Sequence, residues 1–258
     1  MNIVVCVKQI PDPADPGALD PESKTLKRDG KLILDESDSY GVEMALQLVG
    51  DSGEVTLVSM APNGEVSGLR TALAMGAAKA VLVSDDALKG SDALTTAKVL
   101  AAAIGKAGEY DLVLAATESS DGYTGVVPEQ IAAVLGLPSV TFAKSVTIDG
   151  DTVKVDRQTE AGYDEVVSPL PAVVSVTAGV VEPRYPSFKG IMAAKSKPVD
   201  QLTLADIGIE ASNAGWAGAG QEIIEVATAA QREAGEIIED DGEAFTKVVD
   251  FLSNLKVI

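Results

Sequence analysis

The sequence predicts an α/β fold built on a doubly wound, mostly parallel sheet, with antiparallel strands added late in the chain and a C-terminal arm. Three observations carry this. Over the first two thirds, short apolar runs alternate with longer helical patterns, the pattern of strands joined by crossover helices. Runs such as VTLVSM and LVLAAT are apolar on both faces, as expected when helices cover both sides of a sheet. From Ser145 the pattern changes to β-rich runs around Asp149-Gly150, a dipeptide suited to a hairpin turn. The expected architecture is Rossmann-like.

In order, Ile3 to Val7 reads as a first strand, Tyr40 to Val49 as a helix, Glu54 to Met60 as a strand and Glu65 to Met75 as a helix. Ala80 to Ser84 is the next strand. Asp92 to Ile104 is a helix with Ser91 or Asp92 as its N-cap and Gly105 near its end. Leu112 to Ala116 and Val140 to Ala143 are strands, and Pro128 opens the helix between them, which runs to Leu135. Two domains are expected: residues 1–198 as a nucleotide-binding α/β domain that includes a partner-facing loop at 183–197, and residues 199–258 as an extended arm. The arm is Ala- and Gly-rich and ends in an amphipathic run, Ala244 to Leu255, with Phe245, Val248, Val249 and Leu252 on one face. Such an arm is either flexible or wraps a partner and orders there; Trp216, Phe245 and Phe251, wasted in free solution, favour the second.

The 258 residues, 46% of them hydrophobic, suffice for a sizeable core. No apolar run approaches the roughly 20 residues needed to cross a bilayer, and MNIVVCVKQIPD reads as a strand rather than a leader; a soluble, cytoplasmic protein without membrane insertion is expected. Histidine is absent, which removes the Ser-His and Cys-His pairs and the commonest metal ligand. Neither catalytic residues nor a metal site are expected. The single cysteine, Cys6, lies inside an apolar run and reads as a buried, unreactive thiol. A net charge of -19 disfavours nucleic acid and anionic membranes. Carboxylate pairs such as Glu36 with Asp38, or Glu239 to Asp241, sit in polar contexts and read as solvated turns.

Against that acidity, Val181 to Lys197 (VEPRYPSFKGIMAAKSK) gathers Arg184, Lys189, Lys195 and Lys197 around Phe188. Pro183 and Pro186 stiffen the approach, so Phe188 is expected on a presented loop just before a short helical pattern, Ile191 to Lys195. The alternative is that Phe188, Ile191 and Met192 pack into the core. In a doubly wound sheet, ligands gather at the carboxyl ends of the strands. The loop best suited to this is Ala115 to Pro128, AATESSDGYTGVVP, with Gly122 and Gly125 for close backbone approach and hydroxyls on Ser119, Ser120, Tyr123 and Thr124. Free N–H groups at the following helix start favour a phosphate, whereas Asp121 suits a hydroxyl or a turn cap. Neither a Walker A loop nor a dinucleotide fingerprint is present. Lys8 reads as a phosphate contact or a salt-bridge partner.

Several segments together resemble the beta, or small, subunit of the electron transfer flavoproteins, from Met1 to about Ile209. They are VVCVKQIPD, DSYGVEMALQL, VTLVSMAP followed by LRTALAMGA, the loop before Pro128, and PAVVSV leading to EPRYPSFKGIMAAK. Val155 to Ser175 matches the family's signature region loosely, with Ala161 and Asp164 replacing the more usual residues. The resemblance implies an electron carrier without catalytic residues of its own: an alpha subunit holds most of the FAD, and this chain binds AMP and docks onto acyl-CoA dehydrogenases or other flavin dehydrogenases, passing electrons to a quinone-reducing acceptor. It implies an AMP pocket at Cys6, at Ser39, Tyr40, Gly41 and Val42, at Met60, and along Ala116, Thr117, Glu118, Ser119, Ser120, Asp121, Gly122, Tyr123, Thr124, Gly125, Val126 and Val127, with the phosphate near the last three. It also implies a recognition surface at Arg184, Tyr185, Phe188, Lys189, Ile191 and Met192, with Phe188 as the plug. Where some members place an aromatic near the flavin, this chain has Pro13, within the insert PADPGALDPES.

Two alternatives accompany this reading. In an electron-bifurcating version, the pocket holds a second FAD in place of AMP. From another class, the same architecture serves stand-alone nucleotide-binding proteins and ATP-dependent ligases, but a ligase wants a Ser-Gly-Gly loop after the first strand, and VKQIPDPADPG has none.

Overall fold

The computed structural model describes residues 1–14, 17, 19–227 and 235–258. Asp15, Pro16 and Ala18 of the expected N-terminal insert, and residues 228–234 of the expected arm, lie outside the described residues. The chain divides into two units, Met1–Ile223 and Ile224–Ile258.

In the first unit, β1 (Asn2–Cys6) is followed by a small ribbon of β2 (Gln9–Pro11) and β3 (Leu32–Leu34), whose antiparallel pairing the sequence did not announce. Then come α1 (Glu36–Val49), β4 (Glu54–Met60), α2 (Ser67–Met75), β5 (Lys79–Val83), α3 (Ala93–Ile104), β6 (Leu112–Ala116) and α4 (Val127–Leu135). A three-stranded meander follows, β7 (Ser139–Asp149), β8 (Thr152–Thr159) and β9 (Gly162–Pro169), turning at Gly150 with φ +60°. The unit continues through β10 (Ala172–Val176), α5 (Phe188–Ala194), β11 (Val199–Leu202) and the single turn α6 (Gly215–Gly218).

The main sheet runs β11-β5-β4-β1-β6-β10-β7-β8-β9, parallel from β11 through β7 and antiparallel over β8 and β9. The expected mixed sheet is thus observed, but β10, which follows the hairpins in sequence, inserts as a parallel strand between β6 and β7. Its AVVSV run is buried throughout, as a central strand requires.

Strand alternation divides the core into two layers. Ile3, Val5, Leu57, Leu82 and Val174 pack with Val42, Ala45, Leu69 and Leu73 of α1 and α2. Val4, Val58, Val81, Val113 and Val173 pack with Ala97, Val99, Leu100, Ile104 and Ile131 of α3 and α4 on the other face. The chain therefore winds onto opposite faces after β1 and after β6, which are neighbours in the sheet, and a crevice opens between their carboxyl ends.

β11 forms the edge of the sheet against β5, in register from Val199 opposite Ala80 to Leu202 opposite Val83. Beyond it, the indole of Trp216 lies over Gly90, where an added Cβ would come within 2.1 Å of the ring, and Asp92 accepts from Gly220 N at 2.8 Å. Trp216 is thus half-buried against the body, which explains an aromatic that looked unplaced in sequence. In the second unit, α7 (Ala244–Asn254) carries Phe245, Val248 and Val249, all exposed, at the expected helical spacing. Among the described residues, no helix is long and apolar enough to cross a membrane.

Candidate functional site

The crevice is built from segments far apart in sequence. β1 ends at Cys6 opposite the end of β6, the chain then runs through Lys8, and the loop after β6 runs from Ala116 into α4. Cys6 is buried on the α3 and α4 face, and burial, aided by the charge of Asp38, pushes its thiol up to about 12, so it is inert. Met60 ends β4 on the other side of β1 and is half-buried. In the first turns of α1, Ser39 and Tyr40 are half-buried, whereas Gly41 lies close to Val5 and Val42 is wholly buried in the core.

Loop 116–127 is pinned at three points. Thr117 donates from its N–H and its Oγ1 to Val176 O, each at 3.1 Å. Asp35, fully buried, accepts from Ser120 N at 2.7 Å and from Ser120 Oγ at 2.9 Å, while also capping α1 through Ser37 N at 3.0 Å. Asp121 accepts from Lys8 Nζ at 2.5 Å and from Arg28 Nη2 on its other oxygen. Burial opposes ionisation of Asp121, but Lys8 and then Arg28 outweigh it and hold the carboxyl below its usual range. Lys8 Nζ also donates to Ser119 Oγ at 3.1 Å. Lys8 is thus the salt-bridge partner that was one of its two readings, and Asp121 is a charge clamp rather than a turn cap.

Asp38 corrects the sequence reading of solvated carboxylates. Glu36 is exposed as expected, but Asp38 is buried and accepts from Lys8 N at 2.5 Å. Burial, and next the charge of Asp35, push its carboxyl well above the ordinary range. The cause is register: α1 starts at the crevice, so its first turn faces inward. Asp35 was legible in principle as a residue before a helical pattern. Arg28 was not, because its partner lies 93 residues away.

Helix starts are satisfied unevenly. Asp35 caps α1, Gln9 Oε1 accepts from Gly68 N in α2 at 2.9 Å, Asp92 accepts from Thr95 N in α3 at 2.8 Å, and Ser187 accepts from Gly190 N in α5 at 3.0 Å. The start of α4 differs. Its N-cap residue is Val126, no side chain among the described residues caps it, and Gly125 precedes it at φ +64°. Two buried oxygens of the same turn, Glu129 Oε2 and Gln130 Oε1, also lack partners among the described residues. Tyr123 and Thr124 are exposed at the rim, Tyr123 with φ +49°. Free N–H groups, a close-approach glycine and hydroxyls fit a small phosphate-bearing ligand. Two surface cavities, of ≈ 590 and ≈ 440 Å³, lie elsewhere, beside β11 and at the amino end of β1.

The second surface lies on α5. Phe188 is its first residue, not part of a preceding loop, because the Ser187 cap starts the helix one residue before it. Phe188 is 81% exposed, Tyr185 is 92% exposed, and Ile191 and Met192 are about half exposed, which excludes the core-packing alternative. The approach is rigid: Arg184 grips the buried Glu43 of α1 through Nε at 2.6 Å and Nη2 at 2.9 Å. Arg70 of α2 donates to Ala194 O and Lys197 O, each at 2.7 Å, and Lys197 Nζ returns to Leu73 O and Ala77 O. Lys197 is therefore a structural clamp, while Lys189 and Lys195 are exposed.

A family model described as the electron transfer flavoprotein domain matches residues 24–207. An electron transfer flavoprotein subunit beta of Mycobacterium leprae is 41% identical over 264 residues, covering 100% of this chain and 99% of the relative. A protein of the same description from Clostridium acetobutylicum is 39% identical over 241 residues, covering 93% and 92%. The caffeyl-CoA reductase-Etf complex subunit CarD of Acetobacterium woodii is 35% identical over 241 residues, covering 92% of each.

Proposed function

The chain belongs to the electron transfer flavoprotein family, among its beta subunits, and from that membership we propose that it holds AMP in the β1/β6 crevice and pairs with an alpha subunit that carries most of the FAD. The observation that supports the nucleotide is the start of α4, where no side chain among the described residues meets the N–H groups, in a body where side chains do so at the starts of α1, α2, α3 and α5. The phosphate would meet the backbone at Gly125, Val126 and Val127, with Ala116 to Thr124 as the surrounding wall and Cys6, Met60 and the start of α1 as the floor. Most of these contacts are main chain, so the chain supplies a cradle and no acid, base or nucleophile; it is a carrier subunit rather than an enzyme. Bound FAD supplies the redox chemistry.

The α5 surface, with Phe188 as anchor and Arg184, Tyr185, Lys189, Ile191 and Met192 around it, would dock on flavin dehydrogenases such as acyl-CoA dehydrogenases, and the complex would pass electrons to a quinone-reducing acceptor in the cytoplasm. A second reading has one observation in its favour, the relative described as part of a caffeyl-CoA reductase-Etf complex. In it, the crevice holds a second FAD. Co-purification with a candidate alpha subunit, followed by denaturation and chromatography of the released nucleotides, tests both. One flavin with one AMP supports the first reading and two flavins the second, while a chain that carries neither and pairs with nothing would overturn both.

A further inference from the structure

Arg28 lies in the excursion between β2 and β3, whose described residues share no strand with the main sheet. Its guanidinium joins three parts of the protein. Nη1 donates to Gln9 O at 3.2 Å, on the segment that leaves β1, and Nη2 pairs with Asp121 on the loop that leaves β6. These two segments are the walls of the crevice. The side chain of Asp121 is only 7% exposed, and each of its oxygens is held by a different cation, Lys8 from within one wall and Arg28 from the excursion. The remaining ties of the loop, to Asp35 and Val176, come from elements locked in the core.

We propose that Arg28 is a positioning residue that bars the mouth of the crevice and fixes loop 116–127 through Asp121, so that a bound purine monophosphate is trapped rather than exchanged. This rests on the nucleotide reading above. Without Arg28, Asp121 keeps only the Lys8 contact between the two walls, so the loop is held by one cation in place of two and no core element has to be displaced for it to loosen. Glutamine cannot replace Arg28, because it lacks the charge and the planar fork that reach Gln9 O and Asp121 together.

The test uses the full chain co-purified with its alpha subunit, as wild type, Arg28→Gln, Arg28→Lys and Asp121→Asn. AMP release into nucleotide-free buffer is timed by chromatography from mildly acidic to neutral pH. Release about tenfold faster in Arg28→Gln is expected, the size of one lost hydrogen bond to a charged group, with partial recovery in Arg28→Lys. Loss of Arg28 also removes one of the two cations that keep Asp121 ionised. The acid-induced rise in release should therefore begin at higher pH in Arg28→Gln than in wild type, a displacement that simple destabilisation would not produce. Asp121→Asn preserves volume and tests the same link should Arg28→Gln fail to fold. Release within about twofold of wild type in the folded variants overturns the proposal. Wild type free of AMP overturns the nucleotide reading itself, and this proposal with it.

Discussion

Removing the Phe188 ring tests the docking surface most directly. The side chain is 81% exposed, so Phe188→Ala leaves no cavity and should not move the unfolding midpoint. An aromatic side chain offers about 150–250 Å² for burial, and covering four fifths of it at about 25 cal/mol/Å² amounts to about 4 kcal/mol. Immobilising the ring costs about 0.5–1.5 kcal/mol, which leaves about 2.5–3.5 kcal/mol, or about 70- to 400-fold. The assay is reduction of the reconstituted heterodimer by a flavin dehydrogenase, followed by flavin absorbance at limiting carrier concentration. The expected loss is in kcat/KM, with AMP and FAD content unchanged. Donor kinetics identical to wild type, at equal flavin content, would refute the anchor role.

Three further outcomes follow from the clamps beneath that surface and from the buried acid at the crevice. Arg184→Ala should cost about 2 kcal/mol, discounted from the cost of breaking a fully buried pair because Arg184 is itself half exposed, and should lower the midpoint by about 4–8 °C; no change would mean that Glu43 finds another partner. Gly190→Ala places a Cβ 2.4 Å from Ala74 O, so α5 must lift from α2, and calorimetry should record a loss of about 1–3 kcal/mol together with slower donor kinetics. An aspartate whose folded pKa is raised contributes stability that is fully present below the ordinary value of about 3.9 and is lost as pH rises through the folded value. Asp38→Asn keeps the shape and an acceptor for Lys8 N, so it should unfold at a higher temperature than wild type near neutral pH, and the gap should close on acidification. Parallel stability curves across pH would contradict a proton held on Asp38.

Local patterns were legible where the information was local. Strands β1, β4, β5, β6 and β7, the helices α1 to α4, the Asp92 cap and the Gly150 turn all announced themselves, because hydrophobic period and turn chemistry act over a few residues. Loop 116–127 was visible for the same reason, as a glycine- and hydroxyl-rich stretch between a strand and a proline-started helix. Phe188 was visible because an aromatic among cations is conspicuous on an acidic chain.

Tertiary structure alone decided what joins residues remote in sequence. Asp38 looks solvated until α1 is turned toward the crevice, and Lys197 looks like a surface charge until α5 lies on α2, with the carbonyl of Leu73 in that helix and that of Ala77 just beyond it within its reach. Arg28 carries no pattern at all; its meaning arises when β1 and β6, 109 residues apart in their register from Ile3 with Leu112 to Val5 with Leu114, become neighbours and a third segment reaches across their ends. Composition and periodicity thus determined a layered α/β fold with no histidine in it. The pairing of distant charges, which depends on distance in space and not on spacing along the chain, determined how its crevice is held shut.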